Sequence, residues 1–153
     1  ISELKSMTHE TKKMISLEGE ETENSIEQIA QENFERWNVA LKSKNAAAVA
    51  ALYETEVLFL PTLSDELIEE PSKTEEYFEH FLEMKPNCKI IRAGVRKISN
   101  NAYVHAGLYD FTVTENGEEK IIHARFSMDW VRDDNGEWKI ATHHSSSLPK
   151  KKK

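Results

Sequence analysis

Cys88 is the only cysteine in the chain, so no intrachain disulfide can form and no cysteine-rich metal cage can be built. Long apolar runs are missing as well. Without about 18 consecutive apolar residues no helix can span a bilayer, so a soluble protein with no membrane partner is expected. Cationic charge is scarce. Against 27 Asp and Glu stand 20 Lys and Arg, a net charge of −7, and a phosphate-binding surface would need clustered basic residues over the folded part. No nucleic-acid partner is expected. The one basic run, Lys150 to Lys153 after Pro149, reads as a solvated tail. Residues 1–23 are polar and charged and lack the apolar stretch of a secretory signal. Because the chain begins at Ile1 and not at Met, it reads as a piece of a longer polypeptide whose targeting segment has been lost, which leaves its compartment open.

What is present suffices for one folded domain. A chain of 153 residues can bury a core without staples. The reading is a polar N-terminal segment over 1–23, a domain over 24–149 and a lysine tail over 150–153. From Asn24, apolar residues recur at spacings of three and four (Ile26, Ile29, Ala30, Phe34, Trp37, Leu41), which predicts an amphipathic helix. Ser43 or Asn45 can cap a second helix over Ala46 to Tyr53. Pro61 closes a brief strand, Val57 to Leu60. Ser72 and Glu75 have capping-box spacing, which starts a third helix near Lys73 that stops before Pro86.

The second half alternates. Lys89 to Ile98, Ala102 to Thr114, Lys120 to Arg132 and Glu137 to Ser147 read as strands, separated by Asn100-Asn101, Asn116-Gly117 and Asp133 to Gly136. They predict an antiparallel meander. Helices followed by a curved antiparallel sheet make an α+β domain, with the first helix across the concave face of a cone-like sheet and a pocket at its open end.

The chemistry concentrates in the last strand, where Thr142-His143-His144-Ser145-Ser146-Ser147 follows Trp138-Lys139-Ile140-Ala141. A histidine titrates near neutral pH and a neighbouring hydroxyl can orient water, so the run suits proton transfer on a small polar substrate. Period-2 alternation puts Ala141, His143, Ser145 and Ser147 on one face, and Ile140, Thr142, His144 and Ser146 on the other. Adjacent histidines pointing apart cannot ligate one metal, and His80, His105 and His123 would join a site only by tertiary coincidence. Metal-free chemistry is expected, with no cofactor; zinc or manganese is the alternative.

Several segments together resemble one family. They are Asn33 to Leu41, Leu58 to Ser64, Glu76 to Leu82, Gly107 to Phe111, Ala124 to Phe126 and His143 to Ser146. Over about Ser25 to Pro149 the chain is similar to the iota-class carbonic anhydrases, relatives of the calcium/calmodulin-dependent protein kinase II association domain in the nuclear transport factor 2-like superfamily. A final-strand signature of three histidines and two serines has Thr142 in its first position here. The resemblance implies a nuclear transport factor 2-like fold, reversible hydration of carbon dioxide to bicarbonate in a pocket inside the cone, a homodimer, and plastid or periplasmic destinations. It names Thr62, Tyr77, His143 and Ser145 as catalytic groups, with Tyr109 lining the substrate site. His143 would accept or relay the proton, Ser145 and Tyr77 would position water, and Thr62 would donate to the developing bicarbonate.

From their local sequence these positions also have plainer readings. Thr62, after Pro61 at a strand exit, reads first as a turn residue bonding local backbone. Tyr77 and Tyr109 sit in patterns that fit ordinary core, and Gly107 marks a bend or a close approach. Arg125, on one strand face with His123, Ser127 and Asp129, reads as an interface ion pair. The runs Glu18 to Glu23 and Glu66 to Glu70 read as solvated. Two rival functions remain. A non-catalytic association module predicts a ring without turnover, and an isomerase or dehydratase of the same superfamily requires a pocket carboxylate and an apolar cavity for a larger ligand.

Overall fold

Phe34, Trp37 and Leu41, spaced by three and four, lie buried on one side of helix α1, residues 26–42, in the computed structural model, which describes residues 26–150. The expectations for residues 1–23 and for the last three lysines fall outside those residues. The chain divides into two compact units, Ile1–Glu32 and Asn33–Lys153. Of the first, residues 26–32 are described, and they are helical.

Helix α1 ends where Lys44 turns left-handed (φ 61°). Of the two candidate caps, Asn45 is the one used: its side chain accepts from the Ala48 amide at 3.2 Å, while the Ser43 hydroxyl donates back to Ala40. Helix α2 is shorter than its alanine-rich run suggests, Ala46–Ala50, and Tyr53 is not part of it. Tyr53 instead opens strand β1, Tyr53–Leu60, also longer than expected, in which Val57 and Phe59 point inward and Leu58 and Leu60 outward.

Helix α3 spans Pro71–Phe81, and its start corrects the capping-box expectation. Pro71 occupies the first helical position, where its missing N–H costs nothing and its φ is preset, so Ser72 and Glu75 lie inside the helix. A 3₁₀ turn, Leu82–Met84, and left-handed Lys85 end it before Pro86.

Four long strands follow: β2 Asn87–Ser99, β3 Ala102–Glu115, β4 Glu118–Arg132 and β5 Trp138–Ser147. They form the expected antiparallel meander. The Asn116-Gly117 turn has positive φ at both residues (51° and 79°), as a two-residue hairpin requires. The sheet order is β1-β5-β4-β3-β2, open at both edges, with β1 added in parallel to β5 and pairing Phe59 with His143.

Two register shifts shape the inner face. Between β2 and β3 one of two shifts lies at Ile90/Arg92, and a Cβ on Gly107 would stand 2.1 Å from the Arg92 carbonyl oxygen. Gly107 therefore admits neighbouring backbone, not a ligand. Between β4 and β5, Trp130 faces Ile140 while Asp129 faces Thr142, leaving Ala141 as the extra residue. That bulge corrects the simple alternation: Trp138, Ile140, His143 and Ser145 are all buried, although Ile140 was expected on the face of His144. Helix α1 is tied to the inner face by Asn33 Nδ2 donating to Tyr103 Oη (2.9 Å), the Cys88 amide donating to Asn38 Oδ1 (2.9 Å), and Arg36 donating to the Trp138 carbonyl.

Candidate active site

Between α1, α3 and the inner sheet face lies a small cavity walled by Trp37, Phe59, Phe78, Phe81 and Phe111, with Thr62, Tyr77, Tyr109, His143 and Ser145 as its polar lining. It offers about 10 Å³ to the centre of a water-sized molecule, room for about one water. The apolar wall follows from the aromatic positions of α1, α3 and β3. Trp37 stacks on Tyr109 (centroids 6.2 Å apart, planes at 5°), and Phe59 lies over the His143 ring at 5.0 Å.

His143 is fully enclosed and both its ring nitrogens are engaged. Tyr53 Oη lies 2.9 Å from Nδ1, and Tyr109 Oη lies 3.2 Å from Nε2. Burial, with a smaller push from His144, lowers its pKa from 6.5 to about 3, so the ring is neutral at neutral pH. Burial also raises Tyr53, Tyr109 and Tyr77 above the ordinary tyrosine value, the Ser145 bond opposing it at Tyr109. Tyr109 Oη is 2.6 Å from Ser145 Oγ, which in turn bonds Thr62 Oγ1. The Tyr77 hydroxyl donates to the Thr62 carbonyl at 2.9 Å, leaving its oxygen lone pairs toward the cavity. All polar groups of the lining are thus neutral hydrogen-bonding groups.

The structure brings Thr62, Tyr77, Tyr109, His143 and Ser145 together around this one space. Thr62 stands in a turn, as its neighbours suggest, but its hydroxyl reaches 83 residues along the chain to Ser145 and not to local backbone. His143 offers a pocket water no free nitrogen, which leaves relaying through Tyr109 as the form of its expected proton role. His144 is exposed, facing an outer groove of about 380 Å³ that Ser145 also lines, so Ser145 stands on the wall between groove and cavity.

The remaining histidines lie elsewhere. His80 is exposed near Glu83, His123 pairs with Asp110 at 2.7 Å, and His105 is buried against Phe34 and Phe126. Among the described residues no three His, Cys, Asp or Glu side chains converge as metal ligands. Arg125 is exposed, its Nε 3.4 Å from Ser146 Oγ.

Tyr53 is the site residue that sequence reasoning missed, since it was assigned to a helix. The signal was available: Tyr53, Val57 and Phe59 are the inward residues, at odd positions, of the run Tyr53 to Leu60, whose β-branched and aromatic residues favour a strand.

Residues 25–149 match the sequence model of the family described as calcium/calmodulin dependent protein kinase II association domain. No curated protein matches the sequence. A solved structure from Xanthomonas campestris, described as such an association domain, is 39% identical, with a TM-score of 0.74 over 76% of this chain and 83% of that one. A nuclear transport factor 2-like protein from Salmonella enterica superposes with a TM-score of 0.71 at 19% identity, over 83% of this chain and 94% of that one. A protein from Novosphingobium aromaticivorans described as a scytalone dehydratase does so at 0.74 and 10% identity, over 84% and 88%. The last two show the fold alone, and that fold is nuclear transport factor 2-like.

Proposed function

The chain belongs to the calcium/calmodulin dependent protein kinase II association domain family, and from that premise we propose that it catalyses the reversible hydration of carbon dioxide to bicarbonate. The observation that carries this reading is the Tyr109–Ser145–Thr62 hydroxyl line ending in a cavity with space for a water-sized guest. Carbon dioxide and water are the smallest guests among those the rival readings require. The isomerase and dehydratase rival is less well served, because it needs an apolar cavity for a larger ligand and a carboxylate base, and neither Asp nor Glu lines this one.

The mechanism follows from neutrality. With His143 held well below neutral pKa and the tyrosines held above theirs, no lining group carries a charge on which a proton could come to rest. The proton must be handed on. As the water oxygen bonds to carbon, one of its protons passes to a lining hydroxyl, which gives its own proton to a carbon dioxide oxygen. The product, carbonic acid, ionises to bicarbonate and a proton in bulk water. Tyr77, its own hydrogen used on the Thr62 carbonyl, accepts from the attacking water; Thr62, oriented by its bond to Ser145, donates to the charge developing on oxygen. His143 orients Tyr109 and acts through it.

Zinc or manganese does not fit this lining. Its one imidazole has both nitrogens occupied by tyrosines, and no carboxylate or thiolate stands beside it. No step is therefore routed through a metal. Stopped-flow hydration by the purified chain, before and after dialysis against a strong chelator, tests the reading: turnover unchanged by the chelator is expected. Loss of activity with recovery on adding zinc or manganese would overturn the metal-free mechanism, and no turnover at all would favour the association module.

A further inference from the structure

Six side chains form a continuous line through the interior: Trp37, Tyr53, His143, Tyr109, Ser145 and Thr62. Trp37 Nε1 lies 3.0 Å from Tyr53 Oη, which lies 2.9 Å from His143 Nδ1; His143 Nε2 lies 3.2 Å from Tyr109 Oη, which lies 2.6 Å from Ser145 Oγ, and Ser145 bonds Thr62. Trp37, Tyr53, Tyr109 and His143 are each at most 5% exposed, so no hydrogen along this stretch can be satisfied by bulk water.

The chemistry of the first member gives the line a direction. An indole N–H only donates, so Tyr53 oxygen accepts from Trp37. Tyr53 has one hydrogen, and His143 Nδ1 is the acceptor within its reach. A neutral imidazole carries a single N–H, so a Tyr53 that donates to Nδ1 leaves the hydrogen on Nε2, aimed at Tyr109. Tyr109 then donates to Ser145, and Ser145 to Thr62. Reversing the Tyr53–His143 or the His143–Tyr109 link leaves the Tyr53 hydrogen unpaired inside the protein, which costs more than the bond itself yields. The hydrogen remaining at the far end belongs to Thr62, whose other surroundings are the cavity.

We infer that Trp37 and Tyr53 are positioning residues that fix His143 as its Nε2–H tautomer and polarise a one-way donor line ending at the Thr62 hydroxyl, which makes the cavity a site for a small oxyanion that turns an acceptor oxygen toward Thr62. That bicarbonate, whose carboxylate oxygens accept while its hydroxyl donates, is that anion rests on the function proposed above; the tautomer and the direction of the line do not. Each donor in the line strengthens the next, so Tyr53, which touches no reacting atom, acts on the anion through four intervening groups. The line also makes His143 a donor toward the cavity side, not a base.

The test is long-range ¹H–¹⁵N correlation spectroscopy on the uniformly ¹⁵N-labelled full chain, with the His143 signals assigned by their loss in His143→Gln. The expected spectrum has a protonated Nε2 and a bare, hydrogen-bonded Nδ1. In Tyr53→Phe, the Nδ1 resonance moves toward that of a nitrogen without a hydrogen bond while Nε2 keeps its proton, and bicarbonate, titrated as its sodium salt, binds about five- to tenfold more weakly. Trp37→Phe, which keeps an aromatic ring in the wall, moves Nδ1 in the same direction by less. A proton on Nδ1 in the wild-type chain overturns the inference, as does a Tyr53→Phe spectrum with Nδ1 unmoved. Hydration without the expected tautomer retains the activity and rejects the donor line; the expected tautomer without hydration retains the line and rejects the activity.

Discussion

His143 and His144 are sequence neighbours with opposite fates, one enclosed and titrating near 3, the other exposed above the outer groove. If the cavity is the reaction site, Ser145→Ala breaks the line that holds the Thr62 hydroxyl toward the reacting oxygens and lowers kcat/KM by about 10²-fold or more, as the loss of an oxyanion donor does. His144→Ala leaves most activity intact. Steady-state hydration kinetics on the two variants check this, and a folded His144→Ala chain without turnover would reverse the face assignment. The depressed pKa of His143 also has a consequence for stability. The unfolded chain binds its proton below about pH 6.5 and the folded chain only near pH 3, so between those values stability falls as pH falls, by up to ~1.4 kcal/mol per pH unit. Burial lowers His105 in the same direction, whereas the raised carboxyl of Asp129 contributes with the opposite sign. Urea unfolding of wild type and His143→Gln between pH 4 and 7 isolates the His143 share: the variant is expected to show the shallower decline, and parallel curves would contradict the assignment.

At the scale of elements, helix α1 contributes Trp37, which is 1% exposed and packs on Tyr109, Phe111 and His143. Trp37→Ala is expected to destabilise by about 3 to 5 kcal/mol in denaturant titration, and a change near zero would make the helix peripheral. The period-3.6 pattern around Trp37 and the Asn-Gly hairpin made α1 and the meander readable, because both signals are local. The inward placement of His143 and Ser145 was likewise readable from alternation within one strand. Ile140 was misplaced because the bulge at Ala141 depends on which β4 residues sit opposite, and those are about ten residues away in sequence. Tyr53 was misplaced because the preceding alanines carry helix propensity past the point where pairing of β1 with β5 takes over. That parallel pairing joins Phe59 to His143 across 84 residues, and nothing near either residue announces it. Thr62 shows the same limit: its turn-like neighbours are local, and its partner Ser145 is not.

For the whole molecule, the nuclear transport factor 2-like fold supplies the frame, and what this chain does with it depends on the few groups inside. The most direct test of that account is stopped-flow measurement of carbon dioxide hydration by the full chain, with Ser145→Ala as the matched control and chelator present throughout. Turnover well above the buffer rate, falling by about 10²-fold in the variant, is the predicted result. A wild-type rate indistinguishable from buffer would contradict the proposed activity.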